Sequence, residues 1–247
     1  MTAPDLVPRG AGVFARWITE RQYGTPAQAA RRASDHGLSW VGLMALGLAG
    51  TPTEERIHPI ERLADYGQAF GEAGVEVWVW FFPLADDPEH AADVAGRALH
   101  ATGGRGLILD IEKPYRGNVA GCRRLVAASL DQLGEDQGIA VTSYPLARYH
   151  RRMPWSEMVA GTGMPQTYTI APHLARVAVE EWRARGHTSI VPIGPAYGPN
   201  SEGRLMTYLR LAYLEDEVPT VDGIGIWSWP QMSSSEWRTL ERVASWW

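Results

Sequence analysis

The chain has 247 residues, of which 45% are hydrophobic, so it is long enough to enclose a large core within one domain. Its formal net charge of −5 and its lack of a basic run argue against binding to nucleic acid or to an anionic membrane surface. Cys122 is the only cysteine, which excludes an internal disulfide bond.

The N-terminal segment does not resemble an export signal. It lacks a basic region followed by an apolar run, and no apolar stretch in the chain approaches the length that spans a membrane. We therefore expect no signal peptide and no membrane partner. We expect residues 1–10 to form an N-terminal extension and residues 11–247 to form one folded domain.

A strand followed by a helical pattern recurs about every 30 residues, which is the size of one βα unit. The helical spacing is clear in "PIERLADYGQAFGEAG", where Leu63, Tyr66 and Phe70 share one face. In chain order, the predicted strands are 12–18, 40–46, 75–82, 106–112, 138–144, 164–169, 189–197 and 223–229.

Eight such units without an intervening linker predict an α/β fold, a single (β/α)8 TIM barrel. The main alternative is an open, doubly wound parallel sheet. That fold commonly carries a G-x-G-x-x-G turn after its first strand, and the sequence has no such turn. The barrel is therefore the favoured architecture.

The third predicted strand, "VEVWVWFF", indicates which side of the strands faces the barrel interior. Alternation along a strand places Trp78, Trp80 and Phe82 on one side and Val77 and Val79 on the other. The small branched residues suit packing against helices. We therefore expect the aromatic side to face inward.

The active sites of TIM barrels lie at the carboxyl ends of the strands, so the side chains there are the candidates for function. Aromatic rings and one amide dominate them. As candidate substrate-binding residues we take Trp17, Trp80, Phe82, Tyr144, Gln166, Tyr168, Tyr197, Trp227 and Trp229.

Two acids end the fourth predicted strand, in "GLILDIEKPY". Asp110 and Glu112 are two positions apart and therefore point to the same side of the strand. Burying two like charges is costly, so they require a partner or a chemical use. A salt bridge to an inward arginine, such as Arg16, is the structural alternative; two acids among aromatic residues favour a catalytic role.

Other chemistries lack their usual signals. The histidines are scattered without metal-binding spacing, and the glycine-rich stretches lack the lysine of a phosphate-binding loop. There is no G-x-S-x-G turn for a serine nucleophile, and Cys122 lies within a helical pattern. We therefore expect no metal and no cofactor.

Cleavage of a glycosidic bond uses one protonated and one ionised carboxyl group, with aromatic rings to hold the sugars. At these residues the chain resembles known enzymes. "LILDIE" resembles the D-x-E signature of family 25 muramidases and, more loosely, the end of the family 18 chitinase signature D-x-x-D-x-D-x-E. "GIGIWSW" resembles the last strand of such barrels, where a tryptophan commonly forms the floor of the sugar site.

The resemblance implies that Glu112 is the general acid and base. It implies that Asp110 orients the acetamido group of the substrate and stabilises an oxazolinium-like intermediate. The match is incomplete: the first strand lacks the acid of family 25, and Arg105 and Ile108 occupy the positions of the two earlier chitinase aspartates.

The expected function is thus retaining hydrolysis of an N-acetylhexosamine polysaccharide, with bacterial peptidoglycan as the expected substrate, as in a phage lysin. A non-catalytic carbohydrate-binding or structural barrel, for instance in a phage tail, is one alternative, and an intracellular glycosidase for another sugar is a second. The expected location is cytoplasmic until release, or virion-associated if the source is a phage. The sequence does not determine the oligomeric state.

Overall fold

The computed structural model describes residues 6–48, 55–196 and 221–244. Eight parallel strands form a barrel, and one short additional strand, β3, pairs antiparallel with β2. The strands are β1 (Gly10–Ala15), β2 (Trp40–Leu48), β3 (Glu55–Ile57), β4 (Glu76–Phe81), β5 (Gly106–Asp110), β6 (Gly138–Ser143), β7 (Thr162–Pro165), β8 (Ile193–Pro195) and β9 (Gly223–Trp227).

The strand order β7-β6-β5-β4-β2-β1-β9-β8 follows the chain around the barrel. Its two ends meet through a parallel bridge between Gly163 and Ile190, next to β7 and β8. The amide of Gly163 donates to the carbonyl of Ser189, and Val191 donates to the carbonyl of Gly163, both at 2.9 Å. The prediction of a single (β/α)8 barrel is confirmed, and the open sheet is excluded.

Helices cover the outside of most strands. They are α1 (Glu20–Tyr23), α2 (Pro26–Asp35), α3 (Ile60–Glu72), α4 (Pro88–Thr102), α5 (Val119–Leu130), α6 (Ala175–Arg183) and α7 (Ser234–Ala244).

The connection from β6 to β7 differs from the predicted pattern. It contains two short 3₁₀ turns, Ala147–Tyr149 and Trp155–Glu157, instead of an α-helix. Pro145 and Pro154 interrupt this segment, and proline inside a helix removes a hydrogen-bond donor and clashes with the preceding turn. The expectation of a helix after every strand was therefore wrong here.

The barrel interior is packed by large rings that lie opposite glycines. Gly12 is paired in register with Trp40, and Trp78 is paired with Gly106. Both tryptophans are fully buried in an interior cluster that also contains Phe14. A large side chain beside a small one on the neighbouring strand fills the tapering interior without overlap.

A separate apolar layer lies between the strands and the helices. It contains Val77, Val79 and Phe81 of β4, whereas Trp78 and Trp80 belong to the interior cluster. The prediction that the aromatic side of this strand faces inward is therefore confirmed for these residues.

The predicted N-terminal extension contributes to the interior. Val7 is 8% exposed and belongs to the interior cluster, and the carbonyl oxygen of Leu6 lies close to Gly138. Among the described helices, none is both long and apolar enough to cross a membrane.

The glycine at position 12 should be required for interior packing. A Cβ added there would lie 2.0 Å from the indole of Trp40. We expect Gly12→Ala to lower the free energy of unfolding by about 1–3 kcal/mol, as measured by urea denaturation, because the interior is overpacked.

Gly71→Ala is the matched control, since Gly71 lies in α3 and an added Cβ there meets nothing within 4 Å. Alanine at this helical position should leave stability unchanged or raise it by roughly 0.5–1 kcal/mol. Equal effects of the two substitutions would contradict the packing account.

Candidate active site

Asp110 and Glu112 are both hydrogen-bonded to one side-chain amide at the mouth of the barrel, which is the opening at the carboxyl ends of its strands. Nε2 of Gln166 donates to Oδ1 of Asp110 and to Oε1 of Glu112, each at 2.8 Å. Asp110 is the last residue of β5 and is 7% exposed, whereas Glu112 lies beyond the strand and is half-buried. The carboxylates accept both hydrogens of one NH₂ group, which fixes their separation and orientation.

The backbone around the acids is held by the neighbouring strand. The amide of Ile111 donates to the carbonyl of Thr142 at 2.9 Å, so the pairing of β5 with β6 continues one residue past Asp110. The hydroxyl of Ser143 donates to the carbonyl of Ile111 at 2.5 Å, and its own carbonyl accepts from the amide of Gln166 at 3.0 Å. Ser143 thus links the segment that carries both acids to the residue that bridges them.

Burial decides the ionisation of the pair. It raises the pKa of Asp110 well above its ordinary value, and the negative charge of Glu112 raises it further. Burial also raises the pKa of Glu112, while the hydrogen bond from Gln166 opposes that rise. Because Asp110 is the more buried group, its pKa is raised more strongly, so when the pair binds a single proton that proton is favoured on Asp110 and the charge on Glu112.

The alternative of a salt bridge to Arg16 does not agree with the structure. Arg16 is exposed, and within the described residues no basic side chain lies within ion-pairing distance of Asp110 or Glu112. The pair is therefore stabilised by the neutral amide, and its charge is left available to a ligand.

Four of the predicted aromatic residues line the mouth, partly buried against the interior cluster. These are Trp17, Phe82, Tyr168 and Trp227. The rings of Tyr168 and Trp227 are stacked, with centroids 5.9 Å apart and an interplanar angle of 16°. Trp227 also meets Trp80 edge to face at 5.4 Å, so it forms the upper surface of the interior.

Tyr144 lies on the β6 side of the mouth, where its ring stacks on His150 with centroids 3.8 Å apart. Burial raises the pKa of its hydroxyl, and the negative charge of Glu112 contributes to the rise. Tyr144 is therefore close enough to the acids for their charge to act on it.

Two predicted binding residues, Trp80 and Trp229, are not brought to the site. Trp80 is 2% exposed and lies one layer below the mouth, where its indole N–H donates to the carbonyl of Ala15 at 3.3 Å. Trp229 is also 2% exposed and packs in the outer layer against Tyr23 and Trp237. Tyr197 lies outside the described residues.

The structure also adds residues that the sequence did not indicate. Ser143 and His150 carry no motif, because a hydroxyl at a strand end and a histidine in a loop are common surface features. One signal could have indicated the segment that contains Ser143 and His150. The carboxyl end of β6 lies beside Asp110, and alternate residues of β6 face the barrel interior.

The positions at which the chain departs from the chitinase signature have other roles. Ile108 is fully buried in the barrel interior, and Arg105 pairs with Glu76 at 3.5 Å at the opposite end of β5 from the acids. In this chain Gln166, the residue directly after β7, provides the hydrogen bond to Asp110. Among the described residues, no group of three or more histidine, cysteine or acidic side chains is arranged to hold a metal ion.

No family model and no curated protein matches the chain. Solved structures do. The spore cortex-lytic enzyme SleL of Bacillus cereus aligns with a TM-score of 0.66 and 10% identity, over 95% of this chain and 74% of that one. A family 18 chitinase from Crocus vernus aligns with a TM-score of 0.62 and 12% identity, over 96% of this chain and 98% of the chitinase.

Enzymes that catalyse other kinds of reaction share this fold. Phosphoribosyl anthranilate isomerase from Thermus thermophilus aligns with a TM-score of 0.57 and 16% identity, over 96% of this chain and 98% of that one. The structural neighbours thus include glycoside hydrolase barrels, and at these identities they establish the barrel fold. Because one fold supports many functions, the function of this chain depends on the residues of its site.

The contrast between Trp227 and Trp229 gives a direct test of the site. Trp227 lies at the mouth, so Trp227→Ala should weaken glycan binding by about 1–3 kcal/mol, by analogy with stacking of bases on aromatic rings. Trp229 is buried in the outer layer, so Trp229→Ala should instead lower stability by about 3–5 kcal/mol. Binding isotherms and melting curves of both variants measure these effects. Lost stability in Trp227→Ala together with lost binding in Trp229→Ala would show that the mouth is wrongly placed.

The raised pKa of Asp110 predicts how stability depends on pH. The native state holds this proton more tightly than the unfolded chain, so the stabilisation is complete below the ordinary carboxyl pKa, about 4, and is lost as pH rises through the raised pKa. Asp110→Asn cannot ionise and avoids this loss. We expect the variant to be more stable than the wild type at neutral pH, with the difference shrinking at acidic pH.

Urea denaturation across this pH range measures the effect. Asp93→Asn, which also removes one negative charge but at an exposed site paired with Arg97, is the control. A stability difference for Asp110→Asn that does not change with pH would contradict the assignment of a raised pKa.

Proposed function

We propose that the protein is a retaining glycoside hydrolase that acts on an N-acetylhexosamine polysaccharide, with bacterial cell-wall peptidoglycan as its substrate. The observation that carries the proposal is the pair Asp110 and Glu112, bridged by one amide and open to a mouth lined by aromatic rings. Such a pair stores a proton and a negative charge side by side, as glycosidic cleavage requires.

The aromatic residues at the mouth form the surface on which a sugar ring would bind. The stacked rings of Tyr168 and Trp227 lie against the interior cluster, across the mouth from β4 and its following residue Phe82. Aromatic faces bind the apolar faces of sugar rings, and the partly buried position of these residues keeps them rigid. A sugar held there lies above the barrel interior and beside the two carboxyl groups.

Substrate binding would redistribute the shared proton. An acetamido N–H that donates to Asp110 favours the ionised form of that carboxyl group, so the proton moves to Glu112. Glu112 is the more exposed of the two acids and can reach the glycosidic oxygen. The free protein, with its proton on Asp110, is then the resting form, and the role expected for Glu112 arises when the substrate binds.

The reaction follows from this arrangement. Glu112 gives its proton to the leaving oxygen while the acetamido carbonyl oxygen attacks the anomeric carbon, and the charge on Asp110 stabilises the cationic oxazolinium ring. Glu112, now ionised, takes a proton from a water molecule that opens the ring. Two inversions at the anomeric carbon retain its configuration.

The comparisons support the polymer class at a coarse level. One neighbour is described as a spore cortex-lytic enzyme and another as a family 18 chitinase. We infer a role of the phage-lysin or cell-wall-lytic kind, with a muramidase-like specificity, from the site and from the resemblance of "DIE" to family 25.

A binding module without turnover is the second candidate. Ile108, which is fully buried, replaces an aspartate of the chitinase signature and removes one acid from the proton network. In such a module the aromatic mouth would still hold a glycan, and the acid pair would only bind hydroxyl or amide groups.

Glu112→Gln separates these two functions. The substitution keeps the shape of the side chain and removes its transferable proton, so turnover should fall by roughly 10²–10⁴ while glycan affinity is largely retained. Release of reducing ends from peptidoglycan and from chitin oligomers measures turnover, and calorimetry measures binding. Lys113→Ala, at the exposed neighbouring position, is the control and should change turnover little.

Two outcomes would overturn the enzyme proposal. Glycan binding by the wild type without release of any reducing end would assign the protein to the binding class. Clear turnover that Glu112→Gln leaves unchanged would show that another group is the acid.

A further inference from the structure

Two arginines at the mouth of the barrel have no acidic partner in the part of the chain that the structure describes. Arg56 lies on β3, and Arg116 follows the 3₁₀ turn that begins directly after Glu112; both are exposed. Within residues 6–48, 55–196 and 221–244, no acid lies within ion-pairing distance of either one, whereas Arg97 on α4 pairs with Asp93 at 3.1 Å. Among the described residues, these two positive charges at the mouth are therefore not neutralised by an ion pair, on a chain whose net charge is −5.

Arg56 is held in place by an aromatic support. Its guanidinium carbon lies 4.7 Å from the centroid of the Trp17 ring, and His58 stacks on the same indole at 6.1 Å. Trp17 has a φ of 46°, which is rare for a bulky residue, and its ring edge lies beside Gly47, the residue paired with Arg56. Backbone strain that the surroundings enforce is a feature of functional sites, and here it positions the ring beneath the cation.

Arg116 lies in the loop that follows the acid pair. The adjacent amide of Gly117 donates to the carbonyl of Arg152 at 2.7 Å, which ties this loop to the one after β6. Burial lowers the pKa of His150, and the positive charge of Arg116 lowers it further. Arg116 therefore lies near the stacked rings of His150 and Tyr144.

Both arginines lie on the part of the barrel rim that carries the acid pair. Arg56 lies on β3, which pairs with β2, and Arg116 follows β5; one strand, β4, separates β2 from β5. A polysaccharide that crosses the mouth past Asp110 and Glu112 would pass both cations. Guanidinium groups match the geometry of carboxylates, and a neutral sugar offers them no ionic partner.

We propose that Arg56 and Arg116 bind carboxylate groups of the glycan beside the acid pair, and thereby select carboxylate-bearing N-acetylhexosamine polymers over neutral ones. This inference rests on the proposed function and adds a specificity that the acid pair does not supply. In peptidoglycan, the carboxylate belongs either to the lactyl ether of the muramic acid or to the peptide stem.

The experiment compares ligands that differ only in their charge. Binding and release of reducing ends are measured for a chitin hexasaccharide, for peptide-free peptidoglycan strands, for the same strands after amidation of their carboxyl groups, and for strands that retain their stems. The proteins are the wild type, Arg56→Ala, Arg56→Lys and Arg116→Ala. Arg97→Ala, which removes an arginine of equal charge from α4, is the matched control.

We expect the wild type to prefer the acidic strands, with an affinity that falls as salt is added. Arg56→Ala and Arg116→Ala should each weaken binding of the acidic strands about three- to tenfold and change binding of the amidated strands less than about twofold. Arg56→Lys should recover part of the loss, and Arg97→Ala should have no effect. A loss seen only with stem-bearing strands would assign the carboxylate to the stem; a loss with peptide-free strands would assign it to the lactyl group.

Equal affinity of the wild type for acidic and amidated strands would overturn the inference, as would equal losses on both ligands in Arg56→Ala and Arg116→Ala. If turnover of N-acetylhexosamine glycans persists in that case, the proposed function stands and only the carboxylate selectivity fails. If no N-acetylhexosamine polymer is bound or cut by the wild type, the proposed function fails, and this inference fails with it.

Discussion

The donation of two hydrogen bonds by one amide to two buried carboxyl groups is the interaction on which the site depends. Without Gln166, Asp110 and Glu112 would face one another in a poorly solvated mouth with no donor to offset their charge. The amide stabilises the pair without adding a positive charge, so the raised pKa values persist. A salt bridge would have lowered those pKa values and removed the proton that the proposed acid catalysis needs.

The packing of the barrel explains why polar chemistry is confined to one end. Below the mouth, rings such as Trp40 and Trp78 fill the interior against glycines on adjacent strands. Asp110 follows Ile108 by two positions on the inward side of β5 and so lies above this apolar filling. The lower barrel supplies stability, and the upper layer carries groups whose burial costs stability but, in the proposed function, prepares the reaction.

The barrel and the acid pair follow from local periodicity, which is why the sequence predicted them. Alternation placed Asp110 and Glu112 on one side even though β5 ends between them, because the extended backbone continues past the strand. The same rule grouped Trp227 with Trp229 and failed, since the chain leaves β9 after Trp227 and enters a 3₁₀ turn that directs Trp229 into the outer layer. The bridging role of Gln166 depends on a contact 54 to 56 residues away in the sequence, and no periodicity encodes it.

The central claim is that Asp110 and Glu112 share one proton under the control of Gln166. Carbon NMR of protein labelled at the aspartate and glutamate carboxyl groups measures this directly, with Asp110→Asn and Glu112→Gln spectra to assign the two signals. The account predicts two coupled titrations, with one proton still bound above about pH 5, where free carboxyl groups are ionised. In Gln166→Leu both titrations should move to higher pH, because the opposing hydrogen bonds are lost. Independent titration of both groups near their ordinary values, unchanged in Gln166→Leu, would contradict the account.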